Sequence, residues 1–187
     1  IFTLLFLALQ NAESMAQYCN QTDQGFGSNG RSIGLSTTND WIYSANLLVQ
    51  PDNKIIQFSS TGSNGFNIIR YTNDGRIDST FGVNGKATFY VNLINNALFG
   101  ALQNDGKIIV VGKTSGSSNY YSDIVLVRFN SNGTPDNSFG SNGRVTTVGE
   151  YNDEGNGLAI QADGKIVVAG FTSTTCFTDC TGTQFCL

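Results

Sequence analysis

The chain has 187 residues, of which 13% are charged, and its formal net charge is −4. Because it contains no histidine, it cannot build a Ser-His-Asp or Cys-His catalytic site or a histidine zinc site, and the singly spread Lys and Arg give no basic stripe for nucleic acid. The 22 glycines and the abundant Asn, Ser and Thr favour turns and strands over helices, so we expect an all-β fold.

The chain begins with an uncharged apolar run, Ile1–Leu9, that is too short to cross a bilayer as a helix. Ser14-Met15-Ala16 follows, with small residues at the positions that a signal peptidase reads. We interpret residues 1–16 as part of a signal peptide, cleaved after Ala16, whose basic start is missing. The alternative is a buried strand or helix of the mature domain, and a lipid anchor on Cys19 is less favoured. On the first interpretation, residues 17–187 are an exported chain without a membrane span.

Export would permit disulfides, and three of the four cysteines lie near the end of the chain. The spacing of Cys176, Cys180 and Cys186 matches no zinc signature. A local bridge between Cys176 and Cys180 is therefore predicted, whereas the pairing of Cys19 and Cys186 stays open.

A nine-residue motif, Asp-x-x-Phe-Gly-x-Asn-Gly-Arg/Lys, occurs at residues 23–31, 78–86 and 136–144. Its phenylalanines are 55 and 58 residues apart, which indicates a repeat architecture. The phenylalanine is expected to fill the space between adjacent units.

A second motif, Gln-x-Asp-x-Lys-Ile, recurs in phase with the first at residues 50–55, 103–108 and 161–166. Asp-Gly between apolar runs is typical of a hairpin turn that needs positive φ. Asn53 replaces the glycine of the first copy, and asparagine is the next-best residue for that conformation.

Each unit is predicted to hold four short antiparallel strands. The continuous apolar runs at 108–111 and 166–169 predict burial on both faces, so the units should stack as blades of a partial β-propeller, with about two full repeats and parts of two more. A β-sandwich is the structural alternative. The first strand of the unit is predicted at 46–49, 99–102 and 157–160, and the second at 55–58, 108–111 and 166–169. The third strand is predicted at 66–71 and 123–129, and the fourth at 86–91 and 144–148.

These motifs, together with Leu-x-Arg-Phe-Asn-x-x-Gly at residues 126–133, resemble the delta-60 repeat of exported bacterial proteins. The resemblance runs from about Asp23 to Thr172. It implies a propeller that is secreted or held at the cell surface. It implies no enzymatic activity and no cofactor, because the family has no catalytic residues to transfer.

Both ends of the chain are out of phase with the unit. Gln184–Leu187 is expected to begin the third strand of the last unit, aligned with Asp123–Leu126 after an insertion of three residues, with Cys186 as a buried thiol. Asp23–Ser36 is expected to be a closing strand whose partner blade lies beyond Leu187. The domain at 17–187 is therefore interpreted as truncated at its C-terminus.

Several carboxylates are candidates for a site. The repeated Asp52, Asp105 and Asp163 could form a ring that holds a metal or a sugar, but capping of their own turns is a sufficient reason for them. Asp74 and Asp78 faintly resemble a calcium loop, although the acidic residue that should end such a loop is missing. No metal is therefore expected.

The remaining candidates lie outside the turns. The acids of residues 150–154 could serve a glycosidase, which needs two carboxylates across its substrate, but three acids on one loop favour a solvated surface. We therefore expect a non-catalytic propeller that presents its loops to an unknown protein or glycan; a propeller-fold glycoside hydrolase or lyase is the alternative. The candidate side chains outside the turns are the acids Glu150, Asp153 and Glu154 and the loop aromatics Trp41, Tyr120 and Tyr121. The repeated Arg70 and Arg128 are also candidates, but their stems are expected to pack over a neighbouring strand.

Overall fold

The computed structural model describes residues 23–29, 31–32, 44–60, 65–90, 94–114, 121–147, 152–173 and 183–186. In these ranges every regular element is a β-strand. The strands are β1 (Ser44–Val49), β2 (Ile55–Ser60), β3 (Gly65–Tyr71), β4 (Lys86–Tyr90), β5 (Ile94–Leu102), β6 (Ile108–Thr114), β7 (Ile124–Phe129), β8 (Arg144–Thr147), β9 (Asn152–Ile160), β10 (Ile166–Ser173) and β11 (Thr183–Cys186).

The strands form three antiparallel sheets in which neighbours along the chain pair with one another. The first sheet is β1-β2-β3-β4, the second is β5-β6-β7-β8, and the third is β9-β10-β11. The prediction of an all-β fold is confirmed, as is that of four-stranded units for the first two sheets, and each strand predicted between residues 46 and 169 has its counterpart. The main difference is length, since β5 and β9 each extend over nine residues.

The backbone of the hairpin turns explains their sequence. Asn53 has a φ of 63°, and Gly106 and Gly164 have φ values of 82° and 84°. Only glycine and, at some cost, asparagine adopt this conformation readily. The replacement of glycine by Asn53 therefore follows from the turn and not from a function.

The last strand, β11, confirms the predicted insertion of three residues. Cys186 lies opposite Gly170 of β10, as Val125 lies opposite Gly112 in the second sheet. The register is therefore kept although the connection before β11 is longer. The side chain of Cys186, the cysteines 176 and 180 of the predicted bridge, and the predicted signal peptide at 1–16 lie outside what the structure describes.

The chain divides into two compact units. The first comprises residues 1–33 and 74–76, and the second comprises residues 34–73 and 77–187 with all three sheets. In the first unit, the Gly27 N–H donates to the Asp74 carbonyl at 2.6 Å. Residues 23–29 and 31–32 form turns and isolated bridges there, and their proposed role in closing a blade stays a prediction.

The main core lies between the first and second sheets. Phe58 and Phe66 of the first sheet and Val110 and Phe129 of the second are fully buried. The Phe66 and Phe129 rings meet edge to face, with centroids 6.0 Å apart. This packing removes the inner faces of both sheets from water, which is the dominant stabilising term for such sheets.

Burial of the second strand on both faces is confirmed for β6 but is wrong for β10. Ile108–Val111 is 0% exposed, because the second sheet is covered on both sides. In β10, Val167 is 36% exposed and Ala169 is also exposed, although the sequence of this strand is equally apolar. The reason is that only one face of the third sheet packs, through β9, on the second sheet.

No helix in the described residues has the length and apolar character to cross a membrane.

Candidate functional site

The antiparallel order places the two kinds of connection at opposite ends of the sheets. The repeated motifs lie in the β1–β2, β5–β6 and β9–β10 turns and in the β3–β4 and β7–β8 connections, which all leave from one end. We call this the motif end. The β2–β3, β4–β5, β6–β7, β8–β9 and β10–β11 connections, which do not repeat, join strand ends at the opposite end, the loop end.

A buried ion cluster lies at the motif end of the first sheet. Asp78 Oδ2 accepts a hydrogen bond from Arg70 Nε at 2.8 Å and lies 3.2 Å from Lys54 Nζ. Its Oδ1 accepts hydrogen bonds from the Thr80 N–H at 3.1 Å and the Thr80 hydroxyl at 2.5 Å. The Arg70 guanidinium carbon lies 4.6 Å from the centroid of the Phe81 ring, in cation–π contact.

The second sheet repeats the cluster with the same geometry. Arg128 Nε donates to Asp136 at 2.7 Å, and Lys107 Nζ lies 3.2 Å from the same oxygen. Ser138 takes the place of Thr80, and the Arg128 guanidinium lies 4.5 Å from the Phe139 ring. Because every member recurs in phase, we assign the cluster to the structure of the repeat.

This ion cluster was missed in the sequence, although a signal for it exists. Arg70 and Arg128 were expected to pack over a neighbouring strand, but each pairs with an aspartate that follows it by eight residues. The same interval in two copies of a repeat is the pattern that would have predicted the pairs. The role is structural, as expected, but the contact is an ion pair.

The cluster also joins the sheets. The Arg70 guanidinium donates to the Ser131 carbonyl at 2.9 Å, and the Gly82 N–H donates to the Asn132 carbonyl at 2.8 Å. The Phe81 ring lies against Gly133, where a Cβ would approach it to 2.9 Å. The Phe-Gly motif is therefore the joint between neighbouring sheets, as the repeat pattern predicted.

The aspartates of the two clusters are held in the charged form. Burial raises the pKa of Asp78, but hydrogen bonds from Thr80 and Lys54 and the charge of Arg70 outweigh it and lower the pKa to about 2. For Asp136, the hydrogen bond from the Ser138 hydroxyl is the main cause, and with Lys107 and Arg128 it holds the pKa far below the usual range.

These shifts predict a loss of stability in acid. A folded-state pKa below the unfolded value of 3.8 means that the unfolded chain binds more protons, so the contribution of Asp78 is complete above about pH 4 and is lost as the pH falls toward 2. For Asp78 alone the loss is about 2 kcal/mol. Urea unfolding at pH 7 and at low pH checks this, and Asp78→Asn should flatten the dependence; equal midpoints at both pH values would contradict it.

The turn aspartates cap their own hairpins. Asp52 accepts a hydrogen bond from the Lys54 N–H at 3.2 Å, and Asp105 and Asp163 bind the N–H of Lys107 and Lys165 at 3.1 and 3.2 Å. These hydrogen bonds confirm that each aspartate caps its own turn, which was the interpretation preferred to a ring of carboxylate ligands. Among the described residues, no group of three or more acidic or sulfur side chains is arranged to hold a metal ion.

The two aspartates that faintly resemble a calcium loop bind cationic side chains. Asp78 belongs to the ion cluster of the first sheet. Asp74 pairs with Arg76 at 3.3 Å. The two carboxylates therefore serve separate ion pairs.

A polar cluster that does not repeat lies at the loop end, between the second and third sheets. Lys113 Nζ donates to Glu154 Oε2 at 2.7 Å, with both side chains about one quarter exposed, at 26% and 25%. The Ser122 N–H donates to Asn152 Oδ1 at 2.9 Å, and the Asp153 N–H donates to the Ser122 carbonyl at 2.7 Å. We call these five residues the loop-end cluster.

The loop-end cluster departs from the repeat at positions that the sequence could have identified. The residues at the places of Lys113 and Glu154 one unit earlier are Ser60 and Asn96, and neither carries a charge. The expected solvated acidic surface is therefore wrong for Glu154, which is ion-paired and half-buried. Tyr121 is half-buried beside Ser122, whereas Trp41, Tyr120 and Glu150 lie outside the described residues.

Comparison with known proteins supports the repeat. A protein-family model described as "Domain of unknown function (DUF5122) beta-propeller" matches residues 50–81, 103–139 and 161–176. The three matches start at the same position of the unit, at or next to the glutamine of the hairpin turn. No curated protein and no solved structure matches the chain. With the four-stranded antiparallel sheets, the match identifies the fold as a partial β-propeller.

Proposed function

We propose, on the premise of a partial β-propeller, that the protein is of the delta-60 type, is exported, is not an enzyme, and binds a glycan or a protein at the cell surface or outside the cell. One observation carries this proposal: the polar groups that break the repeat lie at the loop end. The ion clusters of the motif end recur from sheet to sheet and have a structural role.

The motif end is a poor place for a ligand because its carboxylates are already used. Asp78 has a side chain that is only 6% exposed, and both of its oxygens bind Arg70, Lys54 or Thr80. A ligand would have to break these bonds and take the carboxylate from Arg70, which is 8% exposed, and this is costly for a buried charge. The cluster therefore stabilises the unit without offering a binding group.

The loop end offers the groups that recognise hydroxyl-rich or peptide ligands. Asn152, Asp153 and Ser122 place an amide, a carboxylate and a hydroxyl near one another, beside Tyr121. An aromatic ring offers a ligand an apolar surface, and adjacent hydrogen-bonding groups fix the orientation in which the ligand binds. The sequence differs from unit to unit at this end, as expected for a surface that carries specificity on a constant scaffold.

The two acids of β9 that the hydrolase alternative would use do not face each other. Asp153 and Glu154 are consecutive in β9, so their side chains project to opposite faces of the sheet. Glu154 is moreover held by Lys113. A glycosidase needs two carboxyl groups facing each other across the substrate.

A glycan array with matched variants tests the proposal. The wild-type chain is expected to bind at least one class of glycan, and Asn152→Ala with Asp153→Ala should remove that binding. Lys165→Ala at the motif end, where the side chain is 75% exposed, is the control and should bind like the wild type. Binding that survives the loop-end variants would place the ligand elsewhere, and binding to no glycan would reject the glycan version.

A further inference from the structure

The Phe-Gly motif ends in a cation in each of its three copies, at Arg31, Lys86 and Arg144. The chain has ten Lys and Arg residues, and all of them belong to the described part of the structure. Seven of these cations form an ion pair with a carboxylate. The three that pair with no carboxylate of the described residues are the three that end the motif.

Lys86 and Arg144 are half-buried, and elsewhere in this protein a half-buried cation has an acid beside it. Lys54 and Lys107, whose side chains are 32% and 31% exposed, each lie within ion-pair distance of two aspartates. Even Lys165, at 75% exposed, is paired. Because it is costly to withdraw a charge from water without a partner, Lys86 and Arg144 stand out by lacking a counter-charge.

The carboxylates of the motif end are already used by other cations. The aspartate that opens the motif, Asp78 or Asp136, is bound by an arginine and a lysine. The turn aspartates Asp52 and Asp105 bind the same lysines. Each ion cluster, taken with its turn aspartate, therefore holds two carboxylates and two cations, and its charges cancel. The cation that ends the motif is left in excess.

An exposed amide accompanies each of these cations. Asn84 precedes Lys86 by two residues and Asn142 precedes Arg144 by two, and both asparagines are exposed. The cations open β4 and β8, opposite Ile69 and Val127, so they hold the same position on neighbouring sheets. A polymer with charges along its length matches such a repeated arrangement, because several weak contacts on one chain reinforce one another.

We propose that Lys86 and Arg144 form a cation row that binds an acidic polysaccharide at the motif end. The carboxylates of the polysaccharide supply the missing counter-charge, and its hydroxyls meet the exposed asparagines. Nucleic acid fits less well, because its backbone carries one charge per about 1.7 Å and would also face the exposed turn aspartates of a chain whose net charge is −4. The cation row lies at the end opposite to the loop-end cluster and does not depend on the function proposed there.

Binding of the whole chain to polygalacturonate, measured by isothermal titration calorimetry, tests the proposal. The wild type is expected to bind more weakly as salt rises, because salt screens exposed charges, and it should not bind amylose, an uncharged glucan. Lys86→Gln with Arg144→Gln removes two charges while it keeps much of each stem, and it should weaken binding by about tenfold.

Arg76→Gln with Lys165→Gln is the matched control, because it removes the same charge from two cations that already have acid partners. This control should keep the wild-type affinity, and circular dichroism should show both double variants folded. If Lys86→Gln with Arg144→Gln does not fold, the two single variants replace it, and each should lose part of the affinity.

Four results would overturn the proposal. The first is a wild-type chain that does not bind polygalacturonate. The second is an equal loss in the two double variants, which would make net charge the cause. The third is equal or tighter binding of duplex DNA, and the fourth is loss of binding in Asn152→Ala with Asp153→Ala, which would place the polymer at the loop end.

Discussion

Replacing Asp78 with alanine is expected to lower the free energy of unfolding by about 3 kcal/mol. The substitution leaves Arg70, which is 8% exposed, and Lys54 without the carboxylate that both of them bind. It also removes the acceptor of the Thr80 hydroxyl. The effect should exceed that of an ordinary surface ion pair because the Arg70 charge that remains is shielded from water.

Chemical unfolding of Asp78→Ala beside Asp163→Ala measures this effect. Asp163 also pairs with a lysine, at 2.5 Å from Lys165 Nζ, but both side chains are more than half exposed, at 53% and 75%. Its removal should lower the unfolding midpoint much less, because it costs only a hairpin cap and an exposed ion pair. If the two variants lost equal stability, burial of the Asp78 cluster would not be the source of its strength.

Replacing Gly100 with valine is expected to destabilise the protein by about 3 kcal/mol, at the upper end for overpacking of a core. The Phe58 ring occupies the place of the new Cβ, and Phe58 is fully buried in the main core. Neither residue can move away without separating the first and second sheets. The melting temperature of Gly100→Val, followed by circular dichroism, checks this.

A double-mutant cycle with Phe58→Ala identifies the cause. Phe58→Ala alone should cost roughly 3–5 kcal/mol through the cavity that it leaves. In the double variant, the valine side chain fills part of that cavity, so the combined loss should be smaller than the sum of the two. Additive losses would mean that Gly100 is required for its backbone and not for the room it gives to the ring.

The fold was predictable because its determinants are local and occur several times. The Asp-Gly turns, the Phe-Gly motif and the apolar runs each recur in phase, and even the register of β11 follows from aligning Gln184–Leu187 with Asp123–Leu126. A wrong strand assignment in one unit would have conflicted with the other units. In a sequence that folds well, the local signals of turns and strands agree with the overall fold in this way.

The exposure of β10 was not predictable in the same way. Val167 and Ile109 occupy one position of the repeat, yet one is 36% exposed and the other is buried. Burial depends on whether another sheet covers the strand, and the sequence of the strand does not contain that information. The pairing of Arg70 with Asp78 was missed for a different reason, since its sign in the sequence is an interval of eight residues and not a recurring residue motif.

The loop-end cluster was only partly predictable. The sequence pointed to Asp153 and Glu154 as the densest acids, but the partners that give them a role, Lys113 and Ser122, lie 30 residues or more away along the chain. Such pairs become visible only once the second and third sheets are stacked. The departure from the repeat was visible, and it is the better guide to a site.

The separation of the motif end from the loop end has a consequence for how such a chain can diverge. The hydrogen bonds from Arg70 and Gly82 that join the first sheet to the second are made at the motif end, and the three-residue insertion before β11 leaves its pairing with β10 unchanged. Doubling the length of a flexible connection costs only about 0.6 kcal/mol in closure entropy. Duplication of a unit can therefore supply new copies of a stable framework, while insertions at the opposite end accumulate at little thermodynamic cost and provide the raw variation on which selection for new ligands acts.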